Sequence, residues 1–201
     1  MTQTWPLIEY LEQGGWIMLP LVVCSLVMWA LILERIVAFR ELGARRDLEV
    51  GAAIDLVARG ASAEQAQGDG LCARVVRRFL QERSGRRDID RDLLRLYAVQ
   101  LEPTLSKNLA TIAVLAAIAP LLGLLGTVIG MIETFEVISV FGTGNARAMA
   151  SGISVAMVTT QTGLVVAVPG LLSSYILQRR AQRFGLRLQE ITTALERSVA
   201  C

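Results

Sequence analysis

Leu109-Ala-Thr-Ile-Ala-Val-Leu-Ala-Ala-Ile-Ala-Pro-Leu-Leu-Gly-Leu-Leu-Gly-Thr-Val-Ile-Gly-Met-Ile132 holds no ionisable side chain and is too long and apolar for an ordinary surface helix. Crossing about 30 Å of hydrocarbon takes about 20 helical residues, so this stretch reads as a membrane span. Two more charge-free stretches flank it in the chain, Trp16 to Leu33 and Ile153 to Leu177. The composition agrees, with 53% of residues hydrophobic against 19% charged, a balance that soluble domains seldom reach. The expected fold is all-α, an integral membrane protein of three transmembrane helices with long cytoplasmic helical extensions. The first span, preceded by no basic residue and followed by no small-x-small site before Glu34 and Arg35, is expected to be a retained helix rather than a signal peptide.

Basic residues set the orientation. The segment before Trp16 has none, Arg35 to Lys107 has fourteen, Glu133 to Gly152 has only Arg147, and the chain after Leu177 has five. Lys and Arg favour the cytoplasmic side, which predicts the N-terminus outside and the C-terminus inside. The expected layout is a periplasmic amphipathic helix over 1–15, a first span over 16–34, a cytoplasmic helical region over 35–108, a second span over 109–132, a periplasmic loop over 133–152, a third span over 153–177 and a cytoplasmic C-terminal helix over 178–201. The net charge of +2 gives no field suited to nucleic acid. With no His and with Cys24, Cys72 and Cys201 far apart in this topology, neither a metal site, a cofactor nor a disulfide is expected.

Outside the spans the apolar residues recur at helical spacing: Trp5, Leu7, Ile8 and Leu11 near the start, Ile54 and Val57, then Leu71, Val75, Val76, Phe79 and Leu80. From Asp88 the positions Ile89, Leu93, Tyr97, Leu101 and Leu105 predict a helix that runs into the second span with a kink at Pro103. Phe184, Leu188, Ile191 and Leu195 continue a stripe beyond the third span. These stripes need a partner, either within one subunit or between subunits.

In the second span Gly123, Gly126 and Gly130 mark a face for close helix contact, since small residues permit the tight packing that drives association in lipid. Oligomerisation through this face is expected. Pro120 frees a carbonyl one turn earlier, which must face protein or water. In the third span Thr159, Thr160, Gln161 and Thr162 form a polar turn deep in apolar sequence. A threonine can satisfy itself by bonding to its own preceding turn, but a glutamine cannot so easily, and the turn is expected to face a helix interface or a pore.

These spans resemble the ExbB/TolQ/MotA proton-channel family, ExbB and TolQ more than MotA. The matching residues are Ala119-Pro120, Gly123-Leu-Leu-Gly-Thr127-Val-Ile-Gly130 and Thr160-x-x-Gly163-Leu with Val-Ala-Val-Pro169 after it. The resemblance implies a homo-oligomer, a pentamer, whose second and third helices line a pore holding the single helix of an ExbD/TolR-like subunit with an essential aspartate. It implies an inner-membrane complex that couples proton motive force to work on an outer-membrane or periplasmic target, with a TonB/TolA-like protein as a further partner. Thr127 and Thr160 become the pore hydroxyls, with Thr159, Gln161 and Thr162 beside them. Pro120, Pro169, Gly123, Gly126, Gly130 and Gly163 become the residues that shape the helices. Val155 stands where ExbB-like members often carry a glutamate.

The residues support a missing partner independently. Moving protons needs a titratable group, and the three spans carry no Asp, Glu, Lys, Arg or His. Hydroxyls can solvate a carboxylate but do not titrate near neutral pH. The acid must come from another chain, unless Glu133 at the outer end of the second span turns inward. A non-conducting scaffold that docks through its cytoplasmic helices is the alternative. An intramembrane enzyme is not expected, because no paired carboxylates and no His- or Ser-based constellation is present. Thr159 and Thr160 suit either a proton or a sodium ion.

Overall fold

The computed structural model describes residues 14–43 and 47–200. The amphipathic helix expected before Gly14 and the terminal Cys201 lie outside the described residues. Within them the chain is all-α, with no strand. A 3-10 turn at Gly15–Ile17 leads into α1 (Met18–Leu42). Next come α2 (Val50–Ala58), α3 (Leu71–Glu82), α4 (Arg87–Ser106), α5 (Leu109–Phe141) and α6 (Ala146–Ala200). Three helical stretches, Gly15–Leu42, Arg87–Gly144 and Ala146–Val199, are long and apolar enough to cross a membrane. Their length and hydropathy match the hydrocarbon core of a bilayer.

Two compact units emerge. The first comprises residues 14–32 and Ala110–Tyr175. Its interior is built from Leu21 and Met28 of α1, Ile112, Ala116 and Ala119 of α5, and Ala156 and Ala167 of α6. The small residues of α5 and α6 let backbones meet, while large apolar side chains such as Leu121, Phe135, Val165 and Val168 point outward. That inside-out arrangement suits a lipid solvent, which is as apolar as leucine and offers no drive to bury it. Pro120 sits inside α5, and Ala116, whose carbonyl it deprives of a helix donor, is fully buried in the bundle. The freed carbonyl therefore faces protein, as the membrane demands.

The second unit comprises residues 33–43, 47–109 and 176–200. Its core joins Val57 of α2, Val75, Val76 and Phe79 of α3, Leu94 and Leu105 of α4, and Leu188, Ile191 and Leu195 of α6. The apolar stripes outside the spans thus pack against each other within one chain. Phe39 and Phe184 stack with centroids 5.6 Å apart. Asp47 ties three pieces together: its carboxylate accepts bonds from the Cys72 and Ala73 amides at the start of α3 and pairs with Arg187 of α6 at 3.6 Å. An anion at a helix N-terminus satisfies otherwise orphaned N–H groups. Gly70 has no side chain because a Cβ there would collide with the Asp47 carboxylate.

Three sequence expectations are corrected. The helix from Asp88 does not run into the second span: α4 ends at Ser106 and the chain breaks at Lys107–Asn108, where Asn108 adopts φ 62°. Asparagine tolerates this left-handed conformation better than most residues. Pro103 lies inside α4 without ending it. The buried face of α4 is Leu94, Tyr97 and Leu105, whereas Ile89 is exposed. The segment 133–152, expected as a loop, is mostly helical, and only residues 142–145 connect α5 to α6.

Candidate functional site

The connection between α5 and α6 is short, so the two helices return antiparallel and mesh through small residues. A Cβ at Gly163 would lie 2.8 Å from the Ala119 carbonyl, and one at Gly123 would lie 3.0 Å from the Thr159 carbonyl and 3.2 Å from Thr160 Cα. Gly126 abuts the Thr159 side chain, Gly130 abuts the backbone of Gly152, and Gly152 abuts Thr134. A Cβ at Gly126, Gly130, Gly152 or Gly163 would force its neighbours to move, and one at Gly123 would be tight. The glycine face of the second span is therefore filled by the third span of the same chain, which overturns the expectation that Gly126 and Gly130 pack copies together. The complementary stripe, Gly152, Ala156 and Gly163, lies close along the chain and takes the contact first.

This packing sorts the polar turn of α6, because successive helical residues are rotated by about 100° and four in a row cannot share one direction. Thr159 points inward and is fully buried, its hydroxyl donating to the Val155 carbonyl at 2.9 Å and the Ala156 carbonyl at 3.1 Å. It packs against Gly126 inside the α5–α6 contact, on a different side of the helix from Thr160. Thr160 is half-buried at the edge of the pair. Its hydroxyl donates to the Ala156 carbonyl at 3.0 Å and lies 3.5 Å from the Gly123 carbonyl of α5. Thr162, also half-buried, donates to the Val158 carbonyl at 2.7 Å. Gln161 points away from the bundle and is exposed.

Thr127 of α5 lies one turn beyond Gly123, half-buried, with its hydroxyl donating to the Leu124 carbonyl at 2.6 Å. Gly123 thus lies between the two threonines, and Thr127 and Thr160 share one edge of the α5–α6 pair. Each hydroxyl proton is held by the helix's own backbone, which leaves the oxygen lone pairs as acceptors facing outward. Gly123 itself is buried against Thr159, Thr160 and Gly163 of α6, and that close approach brings the two hydroxyls to the edge of the pair. Pro169 sits within α6 on this same span.

Two other acid positions are settled by placement. Val155 sits on the α1 side of α6, its Cγ1 3.7 Å from where a Cβ on Gly15 would be. Glu133 is exposed and does not turn into the bundle.

Glu34 and Arg35 close the first span and carry more than their charge. In the structure Arg35 is only 4% exposed and its guanidinium donates to the Thr104 carbonyl at 3.1 Å. A cation at the last turn of α4 meets the negative end of the helix dipole. Glu34 accepts from the Asn108 side-chain amide at 3.1 Å. The adjacent pair thus clamps the break between α4 and α5. The signal in the sequence was the polar dipeptide Lys107-Asn108 between two helical patterns.

Three membrane-length helices, with no Asp, Glu, Lys, Arg or His between Trp16 and Leu33, Leu109 and Ile132, or Ile153 and Leu177, define a helical membrane protein. The chain belongs to the MotA/TolQ/ExbB proton channel family, which it matches over residues 67–190, a stretch that includes every candidate site residue from Pro120 to Pro169. It is similar to the biopolymer transport protein ExbB of Aquifex aeolicus (strain VF5), with 40% identity over 83 residues. That alignment covers 41% of this chain and 56% of the relative.

Proposed function

We propose that this chain is the ion-conducting subunit of an inner-membrane complex that couples proton motive force to work on an outer-membrane or periplasmic target. The observation that carries the reading is that Thr127 and Thr160 lie half-buried on either side of the tight Gly123 contact between α5 and α6, in spans that hold no Asp or Glu. In this reading several copies, five by family resemblance, surround a partner helix of the ExbD/TolR type, and its aspartate lies against the edge. The likeness to a biopolymer transport protein supports energy transduction, with a TonB/TolA-like protein as the element that carries force outward. The basic residues support an N-out, C-in orientation.

The chemistry follows from hydroxyl capability. A threonine accepts from the protonated acid while its own proton stays on the backbone, and donates to the ionised carboxylate when the hydroxyl rotates off that carbonyl, so it stabilises both states of a proton carrier without titrating. Thr160 and Thr127 do this from the two helices, Gly123 and Gly126 hold those helices at the required separation, and Pro120 and Pro169 shape them. Thr162 and Gln161 lie outside the edge and act through neighbouring surfaces.

The test is Thr160→Val in cells that also carry the partner subunit. Valine keeps the shape but loses the hydroxyl, so expression and assembly are expected to stay near wild type while energised function is lost. Wild-type proton-dependent activity of the variant would refute the assignment. A non-conducting scaffold would instead lose function on charging the cytoplasmic helices and tolerate Thr127→Val and Thr160→Val together.

A further inference from the structure

Beyond the ends of their spans α1 and α6 lie side by side. Phe39 of α1 stacks on Phe184 of α6 with centroids 5.6 Å apart, and Gly43 comes up to the same ring, where an added Cβ would stand 3.4 Å away. As the first and third of three spans, the two helices run in the same direction. An α-helix turns by about 100° per residue, so one step forward from Phe39 and one step back from Phe184 lead to the same side of the pair and to the same level. Those steps reach Arg40 and Arg183, both exposed. Arg180, exposed one turn before Phe184, leans to that side as well.

On this side the groove between the helices changes character along its length. Toward the spans its walls are apolar, with Leu33 and Val37 of α1 and Ile176 of α6 all exposed. At the other end it is cationic. The acids close to it in sequence are already engaged, since Glu41 pairs with Arg74 at 3.5 Å and Asp47 with Arg187 at 3.6 Å. Arg40, Arg180 and Arg183 form no ion pair among the described residues. The charge-free runs end at Leu33 and Leu177. At 1.5 Å per residue, Arg180 and Arg183 lie about 5 to 9 Å further on and Arg40 about 10 Å, which is the headgroup layer once these long side chains reach back toward it.

We infer that this groove binds an anionic phospholipid, with an acyl chain along Leu33, Val37 and Ile176 and the phosphate among Arg40, Arg180 and Arg183. The occupant has to be apolar for the length of the walls and negative at their end, and a phospholipid is both. Guanidinium forks match phosphate oxygens in geometry as well as charge. Three cations without an acid of their own favour a headgroup of net negative charge over a zwitterionic one. A soluble anion would match the cationic end but leave the apolar walls uncovered. The site rests on the membrane reading of the spans and not on the proposed ion path.

The test uses the full-length protein, purified in detergent, freed of lipid and titrated with dioleoyl phosphatidylglycerol or dioleoyl phosphatidylcholine, with bound lipid counted by native mass spectrometry. Phosphatidylglycerol should saturate at one molecule per chain and bind about tenfold tighter than phosphatidylcholine. With Arg40→Gln, Arg180→Gln and Arg183→Gln together, that preference should vanish. Arg59→Gln, Arg86→Gln and Arg91→Gln together remove as much charge from exposed positions elsewhere and should keep it. Arg183→Gln alone changes one exposed side chain, so it gives a reading even where the triple variant fails to fold, and it should weaken phosphatidylglycerol binding about threefold to fivefold. Equal binding of the two lipids by the wild type would overturn the proposal, as would an unchanged preference in Arg183→Gln. An equal loss in the Arg59, Arg86 and Arg91 variant would reduce the effect to net charge and overturn it too. So would displacement of the lipid by millimolar inorganic phosphate, which would make the site one for a free anion. Proton flux enters none of these readings, so failure of the Thr160 assignment and failure of the lipid site are told apart.

Discussion

Gly126 of α5 lies directly against the side chain of Thr159 of α6, with no room for a methyl group between them. This contact fixes which of four consecutive polar residues turns inward and thereby places Thr160 at the edge of the pair. A glycine in one span and a buried threonine in the next together decide what the outside of the subunit presents.

Gly126→Leu should therefore damage the protomer itself. Overpacking a tight contact costs about 1–3 kcal/mol or more, and here the side chain would run into the buried Thr159 side chain. The expected outcome is a lower thermal midpoint in detergent and faster proteolysis at every oligomeric size. Gly144→Ala, where a Cβ meets nothing within 4 Å, serves as the comparison and should leave both unchanged.

The clamp at the α4–α5 break gives a second expectation. Arg35→Ala removes the cation from the Thr104 carbonyl and should destabilise the protein by about 1–3 kcal/mol. Asn108→Gly should be tolerated because the backbone there is left-handed, whereas Asn108→Val should be costly. Thermal unfolding of the three variants by circular dichroism checks the order. An Asn108→Val variant as stable as Asn108→Gly would contradict the geometry.

Burial pushes the Cys72 thiol up to about 11 from the ordinary value of 9.0, with Asp47 adding to the shift and Arg187 opposing it. A raised thiol favours the folded state while it stays protonated. The contribution is fully present below about pH 9 and is lost as the pH rises towards 11. Alkylation of Cys72 at pH 8 should accordingly be much slower than that of a free thiol. Asp47→Asn, which removes a carboxylate beside the thiol, should speed it. Equal rates in the two proteins would show that access alone controls reactivity.

The three spans were legible because each is a long run without charge, and length and hydropathy suffice for that. The helical stripes outside them were legible by period: on α4 Tyr97, Leu101 and Leu105 face the core as expected, while Leu94 rather than Leu93 is fully buried and Ile89 is exposed. The break at Asn108 was not legible by period, since the helical pattern continues across it, and only a tolerance for left-handed backbone marks it. Within the site, residue types pointed to the threonines but could not separate Thr159 from Thr160. That distinction depends on which helix fills the glycine face, a tertiary fact that two neighbouring hydroxyls in a sequence do not reveal.

The central claim is that Thr160, and not Thr159, serves the ion path, and paired flux measurements test it most directly. Thr159→Val and Thr160→Val are reconstituted separately with the partner subunit in liposomes, and proton uptake is followed under an imposed membrane potential. Thr159 bonds only to carbonyls of its own helix, so its valine variant should conduct within about twofold of wild type. Thr160→Val should fall to the rate of empty liposomes. Equal loss in both, or normal flux through Thr160→Val, would contradict the account.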